Sequence, residues 1–253
     1  MLSVNDDLAY ALKPSLWASE ALGFNADPWQ AQVLDDSTAK KILLNCSRQS
    51  GKSSVSSLLA LHTAIFQPGS LVLMVSPSLR QSSELFRKFL SYLDSLEVLP
   101  SIARAEDTKL SLKLDNQSRV VSLPGSEGTI RGYSAVTLLI IDEGARVVDD
   151  LYFAVRPMLA VSRGRLLALS TPFGKRGWYF REWSEGEGWQ KHTIPATDCP
   201  RILPEFLEEE RRSMPRAVFQ SEYMCEFAET IDSVFGYDDV MAAIDNDLQL
   251  LDV

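Results

Sequence analysis

Three short stretches of this chain carry residues that could act on a phosphate ester. The first is Cys46-Ser47-Arg48-Gln49-Ser50-Gly51-Lys52-Ser53, a glycine-containing turn that leads into a lysine and a hydroxyl. Such a turn aims successive backbone N–H groups at phosphate oxygens, and a helix starting there adds its positive dipole end. Lys52 would then bridge β- and γ-phosphates while the Ser53 hydroxyl ligates Mg²⁺. The full pattern asks for Gly at its first position, where this chain has Cys46. An ordinary strand–turn–helix connection with a chance Gly-Lys-Ser is therefore the competing reading.

The second stretch is Asp142-Glu143, and the third is Ser170-Thr171-Pro172. Of two adjacent carboxylates, the first can help to hold a metal ion. The next can orient and deprotonate an attacking water. Adjacent acids at a strand end are also read as solvated loop residues, so their worth depends on what stands beside them.

The elements that would position these residues follow from hydrophobic patterning. Lys41 to Cys46, Leu71 to Val75, Thr137 to Ile141 and Arg165 to Leu169 are apolar runs that read as buried strands, alternating with helical patterns over 52–66, 79–96 and 149–161. Continuous apolar strands between helices imply a mainly parallel α/β sheet with helices on both faces. In such sheets a ligand binds beyond the carboxyl ends of the strands. All three stretches fall at strand C-termini, so they can converge although far apart in sequence.

Around this core, 6–23 carries an amphipathic helical pattern, and Asp27-Pro28-Trp29-Gln30 reads as a helix start. Ser111 to Leu114 and Arg119 to Leu123, split by Asp115-Asn116-Gln117-Ser118, read as a hairpin. A strand is expected near 189–194, then helices over 204–213 and 215–226. Trp178, Tyr179, Phe180 and Trp183 recur at helical spacing and read as core packing rather than a base-stacking platform.

Composition narrows the classes. In 253 residues, 25 Lys and Arg stand against 34 Asp and Glu, a formal charge of −9. Bulk positive charge is therefore not how this chain meets a polyanion; a local basic patch is needed. Three cysteines without a CxxC pair, and only His62 and His192, argue for a reducing compartment and against a disulfide scaffold or a zinc centre. No apolar stretch is long enough for a membrane span, and the acidic start lacks the features of a secretory signal. A cytosolic protein without a membrane role is expected.

Taken together, Ser47 to Ser53, Ile141-Asp142-Glu143-Gly144-Ala145 and Leu169-Ser170-Thr171-Pro172-Phe173-Gly174-Lys175-Arg176-Gly177 resemble the ATPase domain of tailed-phage terminase large subunits. Asp27 to Gln30 is similar to that family's adenine-side motif, and the resemblance runs to Phe219-Gln220-Ser221-Glu222-Tyr223. The family tolerates a non-Gly residue where Cys46 stands. The resemblance implies a P-loop NTPase of the ASCE type that hydrolyses Mg-ATP and drives double-stranded DNA into a procapsid. The implied partners are a portal protein and a small terminase subunit, within a homo-oligomeric ring in the host cytoplasm. It implies that Gln30 contacts adenine, that residues 47–54 (Ser47 through Ser54) cradle the phosphates, and that Ser53 and Asp142 hold Mg²⁺. Glu143 would activate water, and Ser170 and Thr171 would couple loss of the γ-phosphate to the DNA grip. Arg48 lies where some members place a phosphate-sensing arginine in cis. Arg131 lies where similar motors place one that acts on a neighbouring subunit. A structural ion pair is the alternative for Arg48, and a surface or DNA-facing side chain for Arg131.

By the same resemblance, 1–230 is an ATPase domain, with an adenine-side segment at 1–40 and a helical subdomain at 185–230, and 231–253 is a linker. A nuclease domain usually follows in the family. Asp238, Asp239, Asp245, Asp247 and Asp252 have no strand scaffold to array them, so no nuclease activity is expected of this chain. The competing functions are a helicase-like translocase, a non-hydrolysing nucleotide-binding module and a small-molecule kinase. A helicase needs a second ATPase-like core, a binding module has no need of Glu143, and a kinase leaves Ser170-Thr171-Pro172 without a role.

Overall fold

The computed structural model describes residues 4–96, 104–125 and 132–228. Eight strands form one sheet: β1 (Lys41–Cys46), β2 (Leu71–Ser76), β3 (Arg104–Thr108), β4 (Ser111–Leu114), β5 (Arg119–Pro124), β6 (Leu138–Asp142), β7 (Arg165–Ser170) and β8 (Gln190–Ile194). Their spatial order is β3-β4-β5-β2-β6-β7-β1-β8. From β5 through β8 every neighbouring pair is parallel, while β3 and β4 add antiparallel strands at one edge. The expected hairpin is present as β4 and β5. Strand β3 was not expected, because Arg104-Ala105-Glu106-Asp107-Thr108 has no apolar alternation to announce it.

The side-chain alternation of the strands divides the core in two. Ile42, Leu44, Val72, Met74, Ile140 and Leu169 face one cluster, and Leu43, Leu73, Val75, Ile141 and Ala168 the other. Over the first face lie α1 (Val4–Leu12), α2 (Pro14–Leu22), α3 (Pro28–Asp35), α4 (Lys52–Phe66) and α5 (Leu79–Ser95). Helix α4 sits between the sheet and its neighbours, so it is buried around most of its circumference, with Val55, Leu58, Leu59, Leu61 and Ala64 packed beside small polar residues such as Ser56, Ser57 and Thr63. Helix α5 buries Ser82, Leu85, Phe86, Phe89 and Leu93 and keeps a polar outer face, and Ser78 caps its start by accepting from the Gln81 N–H.

Over the second face lie α6 (Asp149–Val155) and α7 (Gly177–Ser184). Trp178 stacks on Tyr152 with ring centroids 3.9 Å apart, and both are buried with Tyr179. These aromatics are core, as their spacing suggested. Beyond β8, α8 (Pro204–Ser213) and α9 (Arg216–Glu222) pack on a small cluster of Ala196, Leu207, Phe219 and Tyr223.

Proline has a part in three departures from the expected helices. The pattern over 6–23 is two helices, broken where Pro14 opens α2 and Lys13 leaves helical geometry. The pattern over 149–161 ends as an α-helix at Val155 and continues as a 3-10 turn, Arg156–Leu159, with Pro157 inside it. The last expected helix, 215–226, is the shorter α9, because Pro215 precedes its first turn and Cys225 takes a positive φ of 62°.

Candidate active site

Strand β1 ends at Cys46, and α4 begins at Lys52, so residues 47–51 must reverse the chain in one tight loop. Two of them take left-handed backbone, Gln49 at φ 59° and Gly51 at φ 90°. Gly51 also meets a close neighbour: a Cβ there would stand 2.6 Å from Gln30 Nε2. Cys46 fits the first position because it is the buried end of a strand. Burial, the largest influence on it, pushes its thiol well above the usual range. Ser47 and Ser50 are fully buried under the loop, and Ser54 is buried in the first turn of α4. Of the loop residues, Arg48, Gln49, Gly51, Lys52 and Ser53 line the cavity.

Gln30 lies directly against this loop, 1 % exposed. Its Oε1 accepts from the Asp27 N–H at 2.9 Å, closing a capping box at the start of α3. Arg201 ties the same corner together, donating to Asp27 Oδ1 at 2.8 Å and to the Ser50 carbonyl at 3.1 Å. No pattern in the sequence marked Arg201.

Strand β6 delivers the acids. Asp142 is its last residue and is buried, with Oδ1 lacking any hydrogen-bond partner. Burial, reinforced by the charge of Glu143, pushes its carboxyl up to about 7. Glu143 follows in left-handed backbone, φ 50° and ψ 43°, a conformation that costs a non-glycine residue on the order of 1 kcal/mol or more. The turn is wedged in place: a Cβ on Gly144 would stand 2.9 Å from Tyr179 Cδ2. Glu143 Oε1 lies 3.3 Å from Lys52 Nζ, so the loop over 47–51, where it enters α4, and the acid pair meet directly.

In the sheet, β7 lies between β1 and β6, and its end places Ser170 and Thr171 between the two other stretches. Both are buried. Ser170 Oγ donates to the Thr171 carbonyl at 2.7 Å and lies 3.5 Å from Glu143 Oε2. All three sequence stretches therefore converge on one cleft of about 360 Å³, which Arg48, Gly51, Lys52, Glu143, Arg146 and Thr171 help to line. It is contiguous, through Ser53, Lys88 and Glu143, with a second hollow of about 540 Å³ where Asp142 faces Arg80, Arg87 and Lys88 of α5. Burial lowers the pKa of the Lys88 ammonium, and the nearby Asp142 charge opposes that shift. The three cations of this hollow are matched by Glu84, Asp142 and Glu143 in its lining, so it is not the local basic patch that the chain's acidity calls for.

The residues present fit a divalent cation. Asp142 offers a buried, unpartnered carboxylate oxygen, and Ser53 lines the same hollow. Among the described residues no group of three or more His, Cys, Asp or Glu gathers to make a metal cage. One carboxylate and one hydroxyl suit Mg²⁺, which keeps waters and takes its remaining oxygens from phosphates.

Arg48 carries an ion pair to Glu222, with Nη2 to Oε1 at 3.2 Å and a second contact from Nε to Oε2. Arg131 and the tail acids from Asp238 onward lie outside the described residues. Sequence reasoning missed Arg146, three residues after Glu143 in a 3-10 turn, and its acidic neighbour Glu222 in α9. No helix among the described residues is long and apolar enough to cross a membrane.

A family model described as "Terminase large subunit, T4likevirus-type, N-terminal" matches residues 43–241. The chain is similar to the large terminase subunit of Thermus phage G20c, 28 % identical over 261 residues, covering 89 % of this chain and 53 % of that protein. The chain thus spans about half the length of the curated relatives it matches. Among solved structures, the ATPase domain of the Thermus phage P74-26 large terminase superposes with a TM-score of 0.76 at 24 % identity, covering 86 % of this chain and all of that one (100 %). The large terminase of the thermophilic phage D6E in complex with ADP superposes at 0.63 and 12 % identity, covering 80 % of this chain and 54 % of that one.

Proposed function

The chain belongs to the family of terminase large-subunit N-terminal domains, and from that premise we propose that it is the Mg-ATP-hydrolysing motor domain of a DNA-packaging terminase. The observation that carries the proposal is the meeting of Lys52 and Glu143, 3.3 Å apart, beside the unpartnered Asp142 oxygen. Phosphate loop, metal-binding acid and water-activating acid then occupy one cleft.

In this reading the backbone of residues 47–53 and the N-terminus of α4 receive the β- and γ-phosphates, and Lys52 leaves Glu143 to bridge them. Ser53 and Asp142 hold Mg²⁺, which when bound neutralises charge on the phosphate oxygens and orients them. Glu143 orients a water in line with the γ-phosphorus and takes its proton. Gln30, whose carbonyl oxygen is committed to Asp27, turns its amide nitrogen toward the base side of the loop. Thr171, at the cleft wall between the phosphate and acid loops, feels loss of the γ-phosphate and passes it on, with Ser170 fixing its backbone.

The charge that develops on the γ-phosphoryl oxygens calls for a guanidinium. Arg131 of a neighbouring subunit is proposed for that role. Arg48, already paired with Glu222, is the candidate within the subunit. The wider assignments follow the family: residues 1–230 as the ATPase domain and 231–253 as a linker. Double-stranded DNA, a portal protein and a small terminase subunit are the partners, with a ring of copies working in the host cytoplasm. DNA cutting is not assigned to this chain.

The test is steady-state ATP hydrolysis against protein concentration, with and without Mg²⁺, for wild type, Glu143→Ala and Arg131→Ala. The expected result is Mg²⁺-dependent turnover per subunit that rises with concentration and falls by about 10²-fold or more in each variant. Turnover independent of concentration and kept in Arg131→Ala would move the arginine role to Arg48. Nucleotide bound without hydrolysis at any concentration, with DNA and portal protein present, would favour a binding module instead.

A further inference from the structure

Arg146 has no part in the roles above, yet it touches each wall of the site. Its Nη1 donates to Glu143 Oε2 and to Thr171 Oγ1, both at 3.0 Å, and its Nη2 lies 3.7 Å from Glu222 Oε1. The guanidinium packs over the Phe173 ring, 4.7 Å from the centroid, which fixes its plane. The backbone fixes its place as well, since its N–H donates to the Glu143 carbonyl at 2.8 Å.

These contacts belong to a longer series of alternating charges. Lys52 holds Glu143 Oε1 while Arg146 holds Oε2, so both oxygens of the water-activating carboxylate are engaged by cations. Glu222, on the other side of Arg146, takes the side chain of Arg48. Its carbonyl also accepts from the Arg48 N–H at 2.9 Å. The series runs Arg48, Glu222, Arg146, Glu143, Lys52, and it begins and ends on the phosphate loop. Helix α9 is fastened to the same place by Ser221 Oγ, which donates to the Pro172 carbonyl at 3.2 Å.

We propose that Arg146 is a positioning residue of the hydrolysis site: it holds Glu143 toward the attacking water and joins that carboxylate to Thr171 and α9. The proposal rests on the ATP-hydrolysing reading given above. A triphosphate draws Lys52 away, because several phosphate charges in a sheltered cleft outcompete one carboxylate. Glu143 then keeps Arg146 Nη1 on Oε2, with Ser170 Oγ 3.5 Å from the same oxygen, and a guanidinium held by Thr171, Glu222 and Phe173 keeps that oxygen in place as a mobile ammonium does not. One proton passes from water to Glu143 Oε1, the water oxygen bonds to the γ-phosphorus, and the bond to the β–γ bridging oxygen breaks with its electron pair leaving on ADP. Any shift of Glu143 during this step moves Arg146, and through Glu222 it reaches α9.

The experiment measures hydrolysis, binding of a non-hydrolysable ATP analogue with Mg²⁺, and backbone amide exchange over 216–226. Arg146→Ala is expected to lower kcat about 10- to 100-fold while KM and analogue affinity change by less than about threefold. Arg146→Lys is expected to recover only a minor part of that loss. Analogue binding is expected to change exchange over 216–226 in wild type and to leave it unchanged in Arg146→Ala. Arg146→Gln, with its melting temperature measured, separates a folding defect from a catalytic one. Wild-type kcat in Arg146→Ala overturns the proposal, and so does a loss confined to KM and analogue affinity, which would mean direct phosphate contact. A wild type that binds the analogue but hydrolyses nothing sinks the ATPase reading, and the exchange measurement still decides the link to α9. A wild type that binds no nucleotide overturns both.

Discussion

The phosphate loop and the acid side of the cleft are built on opposite plans. Residues 46–52 are contiguous, and backbone conformation holds them: a strand end, two left-handed residues and the first turn of α4. The acid side is assembled from β6, β7 and α9, and pairs of charges hold it, with Arg146 at their centre. A backbone-built cradle is indifferent to salt and tolerates side-chain changes such as Cys46 at its first position. A charge-built wall is screened by salt and rearranges when a stronger anion arrives. The cleft therefore joins a fixed half to a movable half.

That contrast predicts unequal responses to substitution. Gly51→Ala forces an alanine to φ 90° and a Cβ against Gln30. It is expected to destabilise the fold by about 1–3 kcal/mol, equally at low and high salt, read from denaturant unfolding. Glu222→Gln weakens two pairs, one to Arg48, whose side chain is 60 % exposed, and a longer one of 3.7 Å to Arg146. It is expected to cost less than about 1 kcal/mol, an effect that fades in high salt. A salt-dependent loss in the glycine variant, or a salt-independent one in the glutamate variant, would dissolve the distinction.

The smallest effect lies away from the cleft. His62 packs edge-on against Trp17 and makes a 2.9 Å hydrogen bond with the Tyr10 carbonyl, and burial lowers its pKa from the ordinary 6.5. The unfolded chain therefore takes up this proton at a higher pH than the folded one. The stability it contributes is complete above about 6.5 and is lost as pH falls through the lowered folded value. The melting temperature is expected to fall below pH 6.5, less so in His62→Gln, while the salt responses of the two cleft variants stay as they were.

Legibility divides along the same line. The phosphate loop could be read because its chemistry sits in eight consecutive residues, and the strands because runs such as Leu43-Leu44 and Ile140-Ile141 are buried on both faces. Asp142 and Glu143 could be read because they end such a run. Arg146 could not, since an arginine three residues past an acid is unremarkable until Thr171 and Glu222 arrive from elsewhere. Arg48 could be placed but not partnered, because Glu222 lies 174 residues away along the chain. Strand β3 is a polar edge strand held by pairing rather than burial, so periodicity carries no trace of it. Pro14 and Pro157 each interrupt a helix that apolar spacing alone carries straight through.

The position of β7 has a mechanical consequence. It is hydrogen-bonded to β1 through Lys41↔Leu166 to Asn45↔Ser170, and to β6 through Leu138↔Arg165 to Asp142↔Leu169. The separation of the two reactive strand ends is therefore two interstrand spacings, about 9.6 Å. Widening it would tear every rung of a ladder at once. A force generated at the cleft cannot be relieved by spreading the sheet, and the stiffness of the whole ladder opposes it. The compliance lies in the loops that leave β6 and β7, at 143–146 and 171–176, and movement at the cleft is limited by how far those loops can travel.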